Sequence, residues 1–156
     1  MPVLVLCLGN ALRRDDAVAL RVADALDAAP PEEAVIRRSA VSGLYLLDET
    51  EGFDRVVVVD AVRTLAHPPG TVLSFPLEAL HAPEGPSPHA IGLPSALARA
   101  RAAGAPVPHR VHVVAVEVLD MENVGEGLTP EVEAAVPGAV AAVRSALAAL
   151  AAPDPE

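Results

Sequence analysis

The sequence predicts one α/β domain with a central sheet lying between layers of helix. Two runs, Val3–Leu8 and Arg55-Val-Val-Val-Val-Asp60, are continuously apolar, which is the pattern of strands covered on both faces. Segments with apolar residues at helical spacing separate such runs, as in folds built from β-α units. Hydrophobic residues make up 52% of the chain and aromatics only 2%, so the core is built from Val, Leu, Ile and Ala, residues suited to packing helices on a Val-rich sheet.

The first strand, Val3–Leu8, is closed by the turn residues Gly9-Asn10. A helix is expected from about Ala17 to Ala29, where Val18, Val22 and Leu26 recur on one face, and Pro30-Pro31 stops it. Ala34–Arg38 reads as a second strand and Gly43–Thr50 as a short helix. The third strand ends at Asp60. The turn His67-Pro-Pro-Gly70 leads into a fourth, Thr71–Phe75. Ser87-Pro88-His89 reads as a helix start, with Ser as cap and Pro at the first helical position, and the helix runs to about Ala103 before Gly104 closes it. Arg110–Val118 is the fifth strand. Thr129-Pro130 opens the last helix in the same cap-then-Pro manner, with Pro137-Gly138 expected to kink or split it. Residues 1–150 form one domain, without internal repeat or linker, and residues 151–156 a flexible, frayed tail. A chain of 156 residues is long enough for one sizeable core.

A formal charge of −10 with no basic run repels phosphate backbones and anionic lipid surfaces, which argues against nucleic acid and membrane as partners. The single Cys7 allows no internal disulfide and points to a reducing, cytoplasmic compartment. The first apolar run lacks a basic leader and is too short for a secretion signal. No other stretch is expected to reach the roughly 20 apolar residues of a membrane span.

In sheets of β-α units, ligands bind outside the carboxyl ends of the strands, where loops meet helix amino termini. Asp15 and Asp16 follow the first strand, Asp60 ends the third and His89 opens the helix after the fourth. Two carboxylates and an imidazole suit a divalent ion such as nickel or zinc, or a general acid/base trio. Helix capping, a turn and a solvated helix face are the alternative roles for the same residues. Other chemistries fit less well. Cys7-Leu-Gly-Asn-Ala-Leu-Arg13 lacks the glycine spacing of a dinucleotide loop, His109 and His112 lack the spacing of a zinc protease helix, and no Gly-x-Ser-x-Gly elbow is present. Burial of Cys7 in its strand should raise its thiol pKa.

Four motifs in chain order carry a resemblance. Leu8-Gly9-Asn10 with Arg14-Asp15-Asp16, Val-Val-Val-Asp60-Ala61, Ser87-Pro88-His89-x-x-Gly92-Leu93, and Gly125-Glu-Gly-Leu-Thr-Pro130-Glu-Val resemble the hydrogenase maturation endopeptidases, over residues 3 to about 150. The resemblance implies a three-layer α/β/α sandwich around a mostly parallel five-stranded sheet. It implies a cytoplasmic enzyme that removes the C-terminal extension of a nickel-iron hydrogenase large-subunit precursor after nickel insertion. Nickel would be carried by the substrate and engaged by Asp16, Asp60 and His89, with Gly9, Asn10 and Asp15 supporting them, in an aspartyl-type or metal-dependent cleavage. The chain departs from the family at Cys7, where Gly is frequent, and at Ser39-Ala40-Val41-Ser42-Gly43, where a glycine-rich loop is expected. It also carries Asp16 where some relatives carry Glu. A non-cleaving, nickel-dependent checkpoint protein is the alternative that the altered 39–43 loop permits, and a metabolite-binding α/β enzyme is a third reading.

Overall fold

The computed structural model describes residues 2–41, 45–79 and 93–154. Five strands form one sheet in the order β2-β1-β3-β5-β4. They are β1 Val3–Leu8, β2 Ala34–Ser39, β3 Arg55–Val62, β4 Val72–Pro76 and β5 Arg110–Glu117. The β1-β2, β1-β3 and β3-β5 pairs are parallel, and only β4 runs antiparallel, against β5. The helices are α1 Val18–Ala28, α2 Leu46–Glu49, α3 Leu93–Ala102 and α4 Pro130–Ala151, with a 3-10 turn at Arg14–Ala17 ahead of α1.

The pleat of the apolar runs separates two cores. Val3, Val5 and Cys7 of β1 and Val57, Val59 and Ala61 of β3 pack with α1 and α4. Leu4, Leu6 and Leu8, with Val56, Val58 and Val62, pack with Leu46 of α2 and with Leu93 and Leu97 of α3. Successive side chains of a strand point to opposite faces, so strands feeding two cores must be apolar throughout. The expected three-layer α/β/α sandwich is therefore the observed fold.

Several expectations are corrected. β3 does not end at Asp60 but continues through Ala61 and Val62, both apolar and paired with β5. Pro137 does not split α4, which is one helix of 22 residues. The stripe Val132, Ala135, Ala139, Val143, Ala146, Leu147 and Leu150 is buried on both sides of the proline, and this shared face keeps the two halves in one continuous helix. α4 is also long and apolar enough to cross a membrane by length and composition, contrary to the expectation that no such stretch exists. Its stripe is packed on the sheet and α1, and its small Ala side chains raise the apolar content of the outer face. The predicted helix start Ser87-Pro88-His89 and the start of the Gly43–Thr50 helix lie outside the described residues.

At the amino edge of the sheet, Asp154 returns to the body of the protein. His109 Nδ1 lies 2.7 Å from Asp54 and Nε2 lies 3.1 Å from Asp154, which also pairs with Arg110 at 3.1 Å. Hydrogen bonds to Asp54 and then Asp154 raise the His109 pKa above its ordinary 6.5, and the bond from His109 lowers that of Asp154. The histidine's contribution is therefore complete below pH 6.5 and lost as pH rises through the raised value, whereas the aspartate's is lost in acid. An NMR titration will show the His109 ring titrating above a free histidine, with the Asp154 amide shift following it. His109→Ala will abolish that coupling and scarcely change the melting temperature, because the groups are solvated. An Asp154 shift that is independent of His109 would refute the pairing.

Candidate active site at the carboxyl edge

From β1 the chain leads to β2 on one side of it, while β3 lies on the other. The carboxyl ends of β1 and β3 thus flank the point where strand order reverses, which is where such sheets form a crevice. The loop leaving β1 is shaped for close approach. A Cβ on Gly9 would stand 2.1 Å from the Asp16 carbonyl oxygen, so only glycine lets the 3-10 turn close against the strand end. Asn10 donates its N–H to Asp16 Oδ2 at 3.0 Å and accepts the Leu12 N–H on its own Oδ1 at 2.9 Å. Arg14 holds a left-handed φ of 50°, a conformation that costs an L-residue roughly 1–2 kcal/mol. Bonds from Arg14 N to Gly125 O (3.1 Å) and from Gly125 N to Leu12 O (2.8 Å) hold it there.

Asp15 is fully buried and ties this turn to the loop between β5 and α4. Its Oδ2 accepts the N–H groups of Leu119 and Asp120 at 3.0 and 2.9 Å, and its Oδ1 accepts that of Thr129 at 2.7 Å. The Thr129 hydroxyl donates to both oxygens, at 3.0 and 2.8 Å. Thr129 was expected to cap α4 with its side chain, but no such bond forms, because the hydroxyl is committed to Asp15.

Asp16, buried at the end of this turn, and Asp60, buried near the end of β3, stand at the same end of neighbouring strands. The turn packs against β3. By the alternation of β3, Asp60 shares the face of Val56, Val58 and Val62, the one toward α2 and α3. Its Oδ1 accepts the N–H of Ala61 at 2.9 Å. Among the described residues no three His, Cys, Asp or Glu side chains converge as a metal site, and His89 lies outside those residues.

The model of the hydrogenase maturation protease family matches residues 21–146. The chain is 32% identical over 151 residues to the hydrogenase 2 maturation protease of Escherichia coli K12, covering 94% of this chain and 91% of that one. The chain belongs to the hydrogenase maturation protease family. The solved hydrogenase-maturating endopeptidase HybD of E. coli superposes with a TM-score of 0.79 at 30% identity, over 96% of this chain and 94% of that one. The HybD [NiFe] hydrogenase maturation protease of Thermococcus kodakarensis superposes with a TM-score of 0.72 at 27% identity, over 93% and 98%.

As a member of this family of peptidases, the protein has few other groups to offer the reaction among its described residues. Burial pushes the Cys7 thiol up to about 12, so it stays protonated and is no nucleophile. His112 packs near the amino end of β5, bonded to Ser74 at 2.7 Å, and burial lowers its pKa. Sequence reasoning overlooked one acid of this maturation protease. Glu117 ends β5, buried, with Val62 of β3 opposite it and thus on the same sheet face as Asp60. Its Oε2 accepts the Thr64 N–H at 2.8 Å and its Oε1 the Thr64 hydroxyl. The signal was legible: Val-Val-Ala-Val-Glu117 repeats the apolar run closed by an acid seen at Asp60.

Proposed function

We propose that this hydrogenase maturation protease removes the C-terminal extension of a nickel-iron hydrogenase large-subunit precursor once nickel has been inserted. The observation that carries the reading is the placement of two buried acids, Asp16 and Asp60, at the carboxyl ends of the adjacent strands β1 and β3. Their carboxylates, with the imidazole of His89, form a ligand set of intermediate hardness that can share a nickel ion with the thiolates of a substrate without retaining it. Asp15, Gly9 and Asn10 support the set by fixing the turn that bears Asp16. Hydrolysis adds water across one peptide bond, breaking its C–N bond and leaving a new carboxylate and a free amine. Recognition of the loaded metal ties that cleavage to a finished metal centre. Cys7, buried and the single cysteine of the chain, suits a cytoplasmic setting for the reaction.

Incubation of the purified protein with precursor, with and without nickel, tests the reading by mass. The precursor loses its extension only when loaded. A loaded precursor that is bound but never shortened would instead make the protein a checkpoint factor.

A further inference from the structure

We propose that Leu65 is a contact residue for the precursor's polypeptide, held out at the carboxyl edge by a clamp between the buried Glu117 and Thr64. The inference rests on the functional reading above and adds a specificity-determining residue to it. Leu65 follows β3 by three positions and combines two unfavourable features. It is 82% exposed, and its φ of 61° lies in the left-handed region that glycine or asparagine adopts at less cost. Local folding needs neither feature, since Gly or Asn would satisfy the turn without exposing a large apolar side chain.

The strain is held from below. Glu117, 1% exposed, takes both the N–H and the hydroxyl of Thr64, and Thr64 Oγ1 in turn accepts the N–H of Ala66 at 3.1 Å. Arg63 pairs with Glu122 at 2.9 Å on the other flank. Leu65 is therefore flanked by a residue anchored to a buried acid, as strained positions in binding sites are. The same edge exposes Leu12, Leu119 and Val124 on the loops after β1 and β5. Apolar side chains spread over three loops at the edge that carries the two acids fit an extended polypeptide surface better than a small molecule, which binds in an enclosed pocket.

Binding and cleavage of nickel-loaded precursor, measured on the same samples, test this. Leu65→Asn, which tolerates the left-handed backbone, raises the Kd for precursor about tenfold. Leu65→Met restores the wild-type value, kcat at saturating precursor is unchanged throughout, and the thermal midpoint of Leu65→Asn moves by less than about 3 °C. Thr64→Val removes the hydroxyl half of the clamp and leaves its N–H half, raises Kd in the same direction, and combines with Leu65→Asn less than additively. A Leu65→Asn Kd within about twofold of wild type overturns the inference. So does strict additivity with Thr64→Val. A wild-type protein that binds the precursor and never cuts it removes the protease reading alone, and one that does not bind it removes both.

Discussion

Asp60→Asn lowers cleavage of nickel-loaded precursor by about a thousandfold, the scale seen when one charge-stabilising group is removed from an active site. The substitution is nearly isosteric, and the amide oxygen can still accept the Ala61 N–H now bonded to Oδ1 at 2.9 Å. What it removes is the carboxylate's charge, at a position with no exposure to water. A carboxylate in such a place attracts a divalent ion far more strongly than an amide does, because little solvent screens it. The loss therefore appears in cleavage and in nickel-dependent binding, read on variant that circular dichroism shows to be folded. Mass spectrometry of the precursor with circular dichroism of the variant checks both. Cleavage within about threefold of wild type, from a folded variant, would remove Asp60 from the site.

Much of this arrangement could be read from the chain because apolar runs report burial directly. Val3–Leu8 and the valines after Arg55 require a sheet covered on both faces, and the acids following them mark the carboxyl edge. Strand ends were less legible. Ala61 and Val62 are as apolar as the run before them, so Asp60 interrupts the apolar pattern without ending the strand. Pro137 illustrates the opposite failure: local chemistry argued for a break, and a buried stripe on both sides of it prevailed. The antiparallel placement of β4 beside β5 depends on contacts that periodicity does not encode. Glu117 followed the same pattern as Asp60, but its partner Thr64 stands 53 positions away. The role of Asp15 was the least legible, since the groups it binds lie 104 to 114 positions distant.

Asp15→Ala destabilises the protein by about 3 kcal/mol or more, because one side chain accepts from three backbone N–H groups and a hydroxyl. Each donor left without an acceptor costs roughly 1–3 kcal/mol where water cannot reach it, and water entering the opened loop recovers part of that. At roughly 2–4 °C per kcal/mol for a chain of this size, the midpoint falls by about 6–12 °C. Asp15→Asn distinguishes acceptor capacity from space filling. Its amide has nearly the same volume but turns an NH2 toward N–H donors, so it loses nearly as much stability as alanine. Thr129→Val deletes only the hydroxyl and costs about 1 kcal/mol. Cleavage should fall further than stability alone requires in Asp15→Ala, since the knot also fixes the turn from which Asp16 projects, and a misplaced group of this kind can cost about a hundredfold. If Asp15→Asn instead melts with the wild type, the carboxylate is serving as a spacer, and the organisation of this edge must come from the Arg13–Gly125 bridge and Gly9 alone.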